Sequence, residues 1–93
     1  DVRCWVTDER AACYVWLIDV GLGGARVQMA APPDVGDEVA VRFRPRANDA
    51  EVQAVGTVVW RSAGFRGRGG VIGVQFARVE DVPALLAYVE HVA

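Results

Sequence analysis

Ninety-three residues, 53% of them apolar, with a formal net charge of −2, describe one folded domain with a single modest core. That balance excludes a disordered chain and gives no bulk attraction to nucleic acid. No apolar run approaches the roughly 18–20 residues of a membrane span.

All ten basic residues are arginine. Arginine suits bidentate contacts to phosphate or to a guanine edge, although a GC-rich genome produces the same bias. Two cysteines, Cys4 and Cys13, make neither a disulfide framework nor a metal site, and read as free thiols in a reduced compartment. The chain carries no signal peptide, so a cytoplasmic location is expected; it starts at Asp1, as part of a longer protein would.

In chain order, Val2 to Val6 reads as a strand and Thr7-Asp8-Glu9-Arg10 as a hairpin break. A turn centred between Asp8 and Glu9 predicts Cys4 opposite Cys13 and Trp5 opposite Ala12. Ala11 to Asp19 is the second strand. It is apolar on both faces, with Cys13, Val15 and Leu17 on one and Tyr14, Trp16 and Ile18 on the other, which predicts cover on both sides. A glycine-rich turn, Asp19-Val20-Gly21-Leu22-Gly23-Gly24, follows. Ala25 to Met29 alternates with Arg26 and Gln28 outward, and Pro32 and Pro33 mark the next loop. Glu38 to Arg44 alternates with Arg42 and Arg44 outward, before a polar turn over residues 45–50. Glu51 to Arg61 is the longest strand, with Gly56 predicting a bulge or bend. Ser62 to Gly70 is rich in glycine and arginine and reads as a hairpin loop; Val71 to Phe76 is the last strand, with Ile72, Val74 and Phe76 inward. From Asp81 the period becomes helical through Val82, Leu85, Leu86, Val89 and Val92, predicting a helix over about 81–92 that covers one end or face of the sheet. The sum is an all-β fold with one helix: a small six-stranded antiparallel barrel plus a C-terminal helix, one domain over residues 1–93.

Four segments together resemble the PilZ domain family. Asp19-Val20-Gly21-Leu22-Gly23-Gly24 resembles its DxSxxG turn, and Val35-Gly36-Asp37-Glu38-Val39-Ala40-Val41 its Gly-Asp strand opening. Gly56-Thr57-Val58-Val59-Trp60 is similar to its Gly-x-Val-x-Trp strand, and Val71-Ile72-Gly73-Val74-Gln75-Phe76 to its Ile-Gly-Val-x-Phe strand. The resemblance implies a six-stranded barrel with a C-terminal helix, serving as a non-catalytic receptor module for the bacterial second messenger cyclic di-GMP. It implies a ligand held between the DxSxxG turn and an upstream RxxxR arm, and a protein partner or fused effector domain that reads the bound state. Two departures stand out: Gly21 occupies the serine position, and the RxxxR motif expected just upstream of the first strand is absent from this chain.

Asp19, Gly21, Gly23 and Gly24 are therefore the candidate ligand residues, and Arg26, Arg42 and Arg44 the candidate anion contacts. Asp19 has a second reading, as organiser of the turn through backbone amides, and Gly23 and Gly24 are expected to serve backbone geometry. Trp5 and Trp60 are expected in the core. Trp16, on a strand apolar on both sides, is the candidate protein interface, and it supports the alternative function, an interaction domain that binds no cyclic di-GMP. Arg61, Arg66 and Arg68, near or in the hairpin loop, read as solvated. His91 is the single histidine and sits at the end of the helix, so no catalytic constellation, metal site or cofactor is expected. Neither nucleic-acid binding nor membrane insertion is expected.

Overall fold

The computed structural model describes residues 2–44, 50–63 and 69–92. The readings placed on the polar turn at residues 45–49, on Arg66 and Arg68, and on the His91 side chain lie outside the described residues. Six strands and one helix follow in order: β1 (Val2–Thr7), β2 (Ala12–Val20), β3 (Gly24–Met29), β4 (Glu38–Phe43), β5 (Val52–Ala63), β6 (Gly70–Glu80) and α1 (Val82–Val92). The strands close into a barrel in the order β1-β2-β3-β6-β5-β4, every pair antiparallel. Closure pairs both sides of every strand, so no described strand offers an edge to another chain.

Strict alternation fills the interior. Cys4 and Val6, Val15 and Leu17, Ala25, Val27 and Met29, and Val39, Val41 and Phe43 all point inward, joined by Val52, Val58, Ile72 and Val74. Each fully buried Val, Leu or Ile contributes about 1.5–3 kcal/mol, so this column carries the fold. The helix closes one end. Leu85 is 1% exposed within the core cluster, and Tyr88 meets the Phe43 ring edge-on at 5.6 Å between centroids. Asp81 caps the helix: its Oδ1 accepts from the Ala84 amide at 3.1 Å. At the other end the Arg61 guanidinium ties β5 to the β3–β4 loop, donating to Asp34 Oδ1 at 2.9 Å and to the Pro32 carbonyl at 3.2 Å.

Three sequence expectations change. The β1–β2 register is two residues from the predicted one: Cys4 faces Val15, Cys13 faces Val6, and Trp5 faces Tyr14. The loop causes this. Asp8 Oδ1 accepts from the amides of Arg10 and Ala11, and the Asp8 amide donates to the Ala11 carbonyl at 3.1 Å, so the turn centres one residue later. A shift of two preserves which residues face inward, and the core is unaffected. The second strand is not covered on its outer face; Tyr14 and Trp16 stand 52% and 45% exposed. The predicted hairpin loop is also shorter: Ser62 and Ala63 remain in β5, paired with Val71 and Gly70.

Candidate ligand site on the barrel face

Asp19 shares parity with the inward residues Cys13, Val15 and Leu17, so plain alternation would bury its carboxylate. It does not stay inside. Leu17 faces Val27, but Asp19 faces Arg26, because β2 spends an extra residue between them. This bulge leaves Ile18 and Asp19 both exposed and turns the carboxylate onto the outer surface.

There it meets Arg26. The guanidinium Nε donates to Oδ1 at 3.0 Å and to Oδ2 at 2.9 Å, and Nη2 donates to Oδ2 as well. Both side chains are about half exposed, so the pair contributes little to stability. The Arg26 hydrogen bonds, aided by its charge, hold the Asp19 carboxyl below the ordinary carboxylate range. Asp19 is thus engaged by a side chain, whereas Asp8, Asp37 and Asp81 are carboxylates that accept from backbone amides.

The turn itself closes through backbone. The Gly21 amide donates to the Gly24 carbonyl and the Phe76 amide to the Gly23 carbonyl, both at 2.8 Å. Gly24 is demanded by packing, since a Cβ there would lie 2.3 Å from the Val74 carbonyl oxygen. Gly21 and Gly23 have nothing within 4 Å of an added Cβ, and neither adopts the left-handed backbone. The expectation that Gly23 serves backbone geometry is corrected by that open space.

A second bulge faces the first. In β5, Val58 faces Val74 and Trp60 faces Gly73, with Val59 the extra residue. Alternation from Val58 would send Trp60 inward; the bulge sends it out, where it is 41% exposed over Gly73. The core reading of Trp60 fails for this reason. Trp5, also expected inside, faces out beside Tyr14 and is 39% exposed.

The two bulged strands flank β3 and β6. Together the four strands line an open depression of about 410 Å³ that holds Asp19, Gly23, Arg26, Trp60, Gly73 and Gln75. Of the predicted anion contacts, only Arg26 reaches it. Arg42, opposite Trp5 and 3.8 Å from Glu51, and Arg44 line a separate depression beside Arg3 and Tyr14. Trp16 lies on the outer face of β2, where the Arg3 guanidinium carbon sits 4.5 Å from both the Tyr14 and the Trp16 ring centroids. Trp5 extends the row, 5.0 Å from Tyr14. Sequence reasoning found Trp16 but not this row, whose signal was alternation of Arg3 and Trp5 on one strand against Tyr14 and Trp16 on the next. Among the described residues no group of three or more His, Cys, Asp or Glu could hold a metal ion. Among the same residues no helix is long and apolar enough to cross a membrane.

The family model described as PilZ domain matches residues 2–91. The chain belongs to the PilZ domain family. A search of solved structures finds similarity to the Bacillus subtilis inhibitor of motility, MotI/DgrA, with a TM-score of 0.77 at 10% identity. The likeness covers 97% of this chain and 46% of that one, so this chain spans about half the length of that protein. Comparison with curated proteins gives no match. As a PilZ domain, the chain is a regulatory module of the family's barrel type. Its Asp19 and Gly24 fill two defining positions of the family's turn, Gly21 stands at the serine position, and Arg26 lies two residues beyond the turn.

Proposed function

We propose that this PilZ domain is a non-catalytic receptor module for cyclic di-GMP, with the Asp19–Gly24 turn as one half of the site and an arginine arm upstream of β1 as the other. One observation carries the reading: Val2 faces Leu17 in the β1–β2 register, so chain leading into β1 runs alongside the Asp19 end of β2. An arm there would arrive beside the carboxylate and the open turn. A cyclic dinucleotide offers two phosphates and two guanine edges, which arginine forks and a carboxylate complement. Capture would order the arm across the barrel face and so expose or hide a surface read by a protein partner or a fused effector domain. Calorimetry with cyclic di-GMP tests this on the chain as given and on one extended upstream. Heat is expected from the extended form, and none at high micromolar ligand would overturn the reading.

A second reading rests on the row Trp5–Tyr14–Arg3–Trp16. With no strand edge to offer, the barrel would engage a protein through side chains, and aromatic residues with arginine are the side chains that dominate such contacts. Arg42 and Arg44 border the row and join Arg3 within it, which suits an acidic segment of a partner. In this reading the module acts without nucleotide. Partner binding that survives Asp19→Ala and ignores added cyclic di-GMP would favour it; loss of binding on Asp19→Ala would count against it.

A further inference from the structure

The Asp19–Arg26 pair poses a question that the DxSxxG resemblance does not answer, namely which of the two side chains meets the ligand. Both carboxylate oxygens of Asp19 already accept hydrogen bonds, from Nε and Nη2 of one guanidinium. A guanine edge seeking that carboxylate would be left with the lone pairs that a bidentate, charge-assisted pair does not already use. Arg26 is in the opposite position. Of the five N–H groups of a guanidinium, the pair uses the Nε–H and one on Nη2; the remaining three point away from Asp19. With 53% of its side chain exposed, Arg26 can take an anion on that outer edge without releasing Asp19.

The surroundings show a built place rather than a chance surface pair. Two bulges, on strands that are not neighbours, each turn outward a residue that alternation would bury, and both residues line the same depression. Bulges concentrate where a side chain must be re-aimed. Here one aims the carboxylate that orients Arg26, and the other aims Trp60.

We infer that Arg26 is the residue of this chain that contacts a ligand phosphate, and that Asp19 acts through it as a positioning residue. The inference rests on the reading of the depression as a cyclic di-GMP site. It reassigns the work within that site, since Asp19 fixes the plane of the fork and the fork binds the anion.

The test is a double-mutant cycle by calorimetry on the full protein, upstream residues included, with cyclic di-GMP as the probe. Thermal unfolding confirms that each variant is folded, as expected for a half-exposed pair. Arg26→Ala should weaken binding about tenfold to a hundredfold, the range for a lost charge-assisted hydrogen bond. Asp19→Ala should weaken it in the wild-type background but add nothing in the Arg26→Ala background. Asp19→Asn, which keeps an acceptor for Nε, should recover part of the loss. Binding by Arg26→Ala that equals or exceeds wild type would overturn the inference, as would an Asp19→Ala loss undiminished in the Arg26→Ala background. A wild-type protein that gives no heat would remove the dinucleotide reading itself, and this inference with it.

Discussion

Trp60 stands directly over Gly73. The two are cross-strand partners in β5 and β6, and a Cβ placed on Gly73 would lie 2.1 Å from the indole Nε1. Glycine here is a floor for the ring, which in turn shields backbone that a side chain would otherwise cover. Gly73→Ala should therefore evict the indole from the sheet. Because the clash is with a half-exposed side chain and not with backbone, the cost should be modest, about 1 kcal/mol. In a background with Trp5 and Trp16 replaced by Phe, Trp60 emission should shift to the red. An unchanged spectrum would refute the contact.

The turn offers a contrast between two glycines. Gly24→Ala would drive a Cβ into the Val74 carbonyl oxygen, which only a backbone shift can relieve, and a loss of about 2–4 kcal/mol in urea unfolding is expected. Gly21→Ser meets open space at an ordinary backbone angle, so stability should stay within about 0.5 kcal/mol of wild type. It also restores the hydroxyl of the DxSxxG turn. In the cyclic di-GMP reading it should tighten binding about fivefold to tenfold, the contribution of one hydrogen bond of about 1 kcal/mol. A substitution that leaves affinity unchanged would show that the hydroxyl position lies off the ligand.

These contrasts separate what alternation reveals from what it hides. The six strands, the helix and the inward column from Cys4 to Val74 were legible because a barrel interior imposes a period of two and the terminal helix a period of 3.6. The family's turn was legible as a run of glycines after a carboxylate. The site geometry was not. A bulge is one extra residue in one strand, without composition of its own at Ile18 or Val59, yet it reverses the side of everything after it. Asp19 and Trp60 are the residues so reversed, and the expectation that Trp60 is core failed through this single step. Gly56 did announce its irregularity, because a Cβ there would collide with the Gln75 carbonyl oxygen at 2.2 Å. The β1–β2 register was hidden in the same way, in the hydrogen bonds of Asp8 rather than in the pattern of apolar residues.

Acid should weaken the Asp19–Arg26 pair in a defined window. The folded-state pKa of Asp19 is depressed, chiefly by the Arg26 hydrogen bonds. Its contribution to stability is therefore present above the unfolded value of about 3.9 and is lost as pH falls through the folded value. For so exposed a pair, the difference in stability between wild type and Arg26→Ala at pH 7 should be small. That difference should shrink toward zero below about pH 4. Following the Asp19 carboxyl by NMR gives the direct check: its midpoint should rise in Arg26→Ala. A midpoint that does not move would mean that the pair does not persist in solution.

The two thiols should differ sharply in reactivity. Cys4 is 1% exposed, and burial pushes its pKa up to about 11, the Arg3 charge offsetting only part of the effect. Cys13 is half-buried and faces Val6 rather than Cys4, so the register places no second thiol directly opposite either one. Thiolate is the reactive form, and at pH 8 Cys4 supplies almost none of it. Iodoacetamide should add one group per native chain, at Cys13, and a second only in denaturant, as mass spectrometry would read. The linkage also has a definite sign. A thiol whose folded pKa is raised contributes stability that is complete below its unfolded value, and that stability is lost as pH climbs toward about 11. Cys4→Ala should lie below wild type in stability at pH 7, because it empties a packed core position, and the gap should narrow in strong alkali. Equal labelling of both cysteines in the native protein would place Cys4 outside the barrel interior and contradict the β1–β2 register.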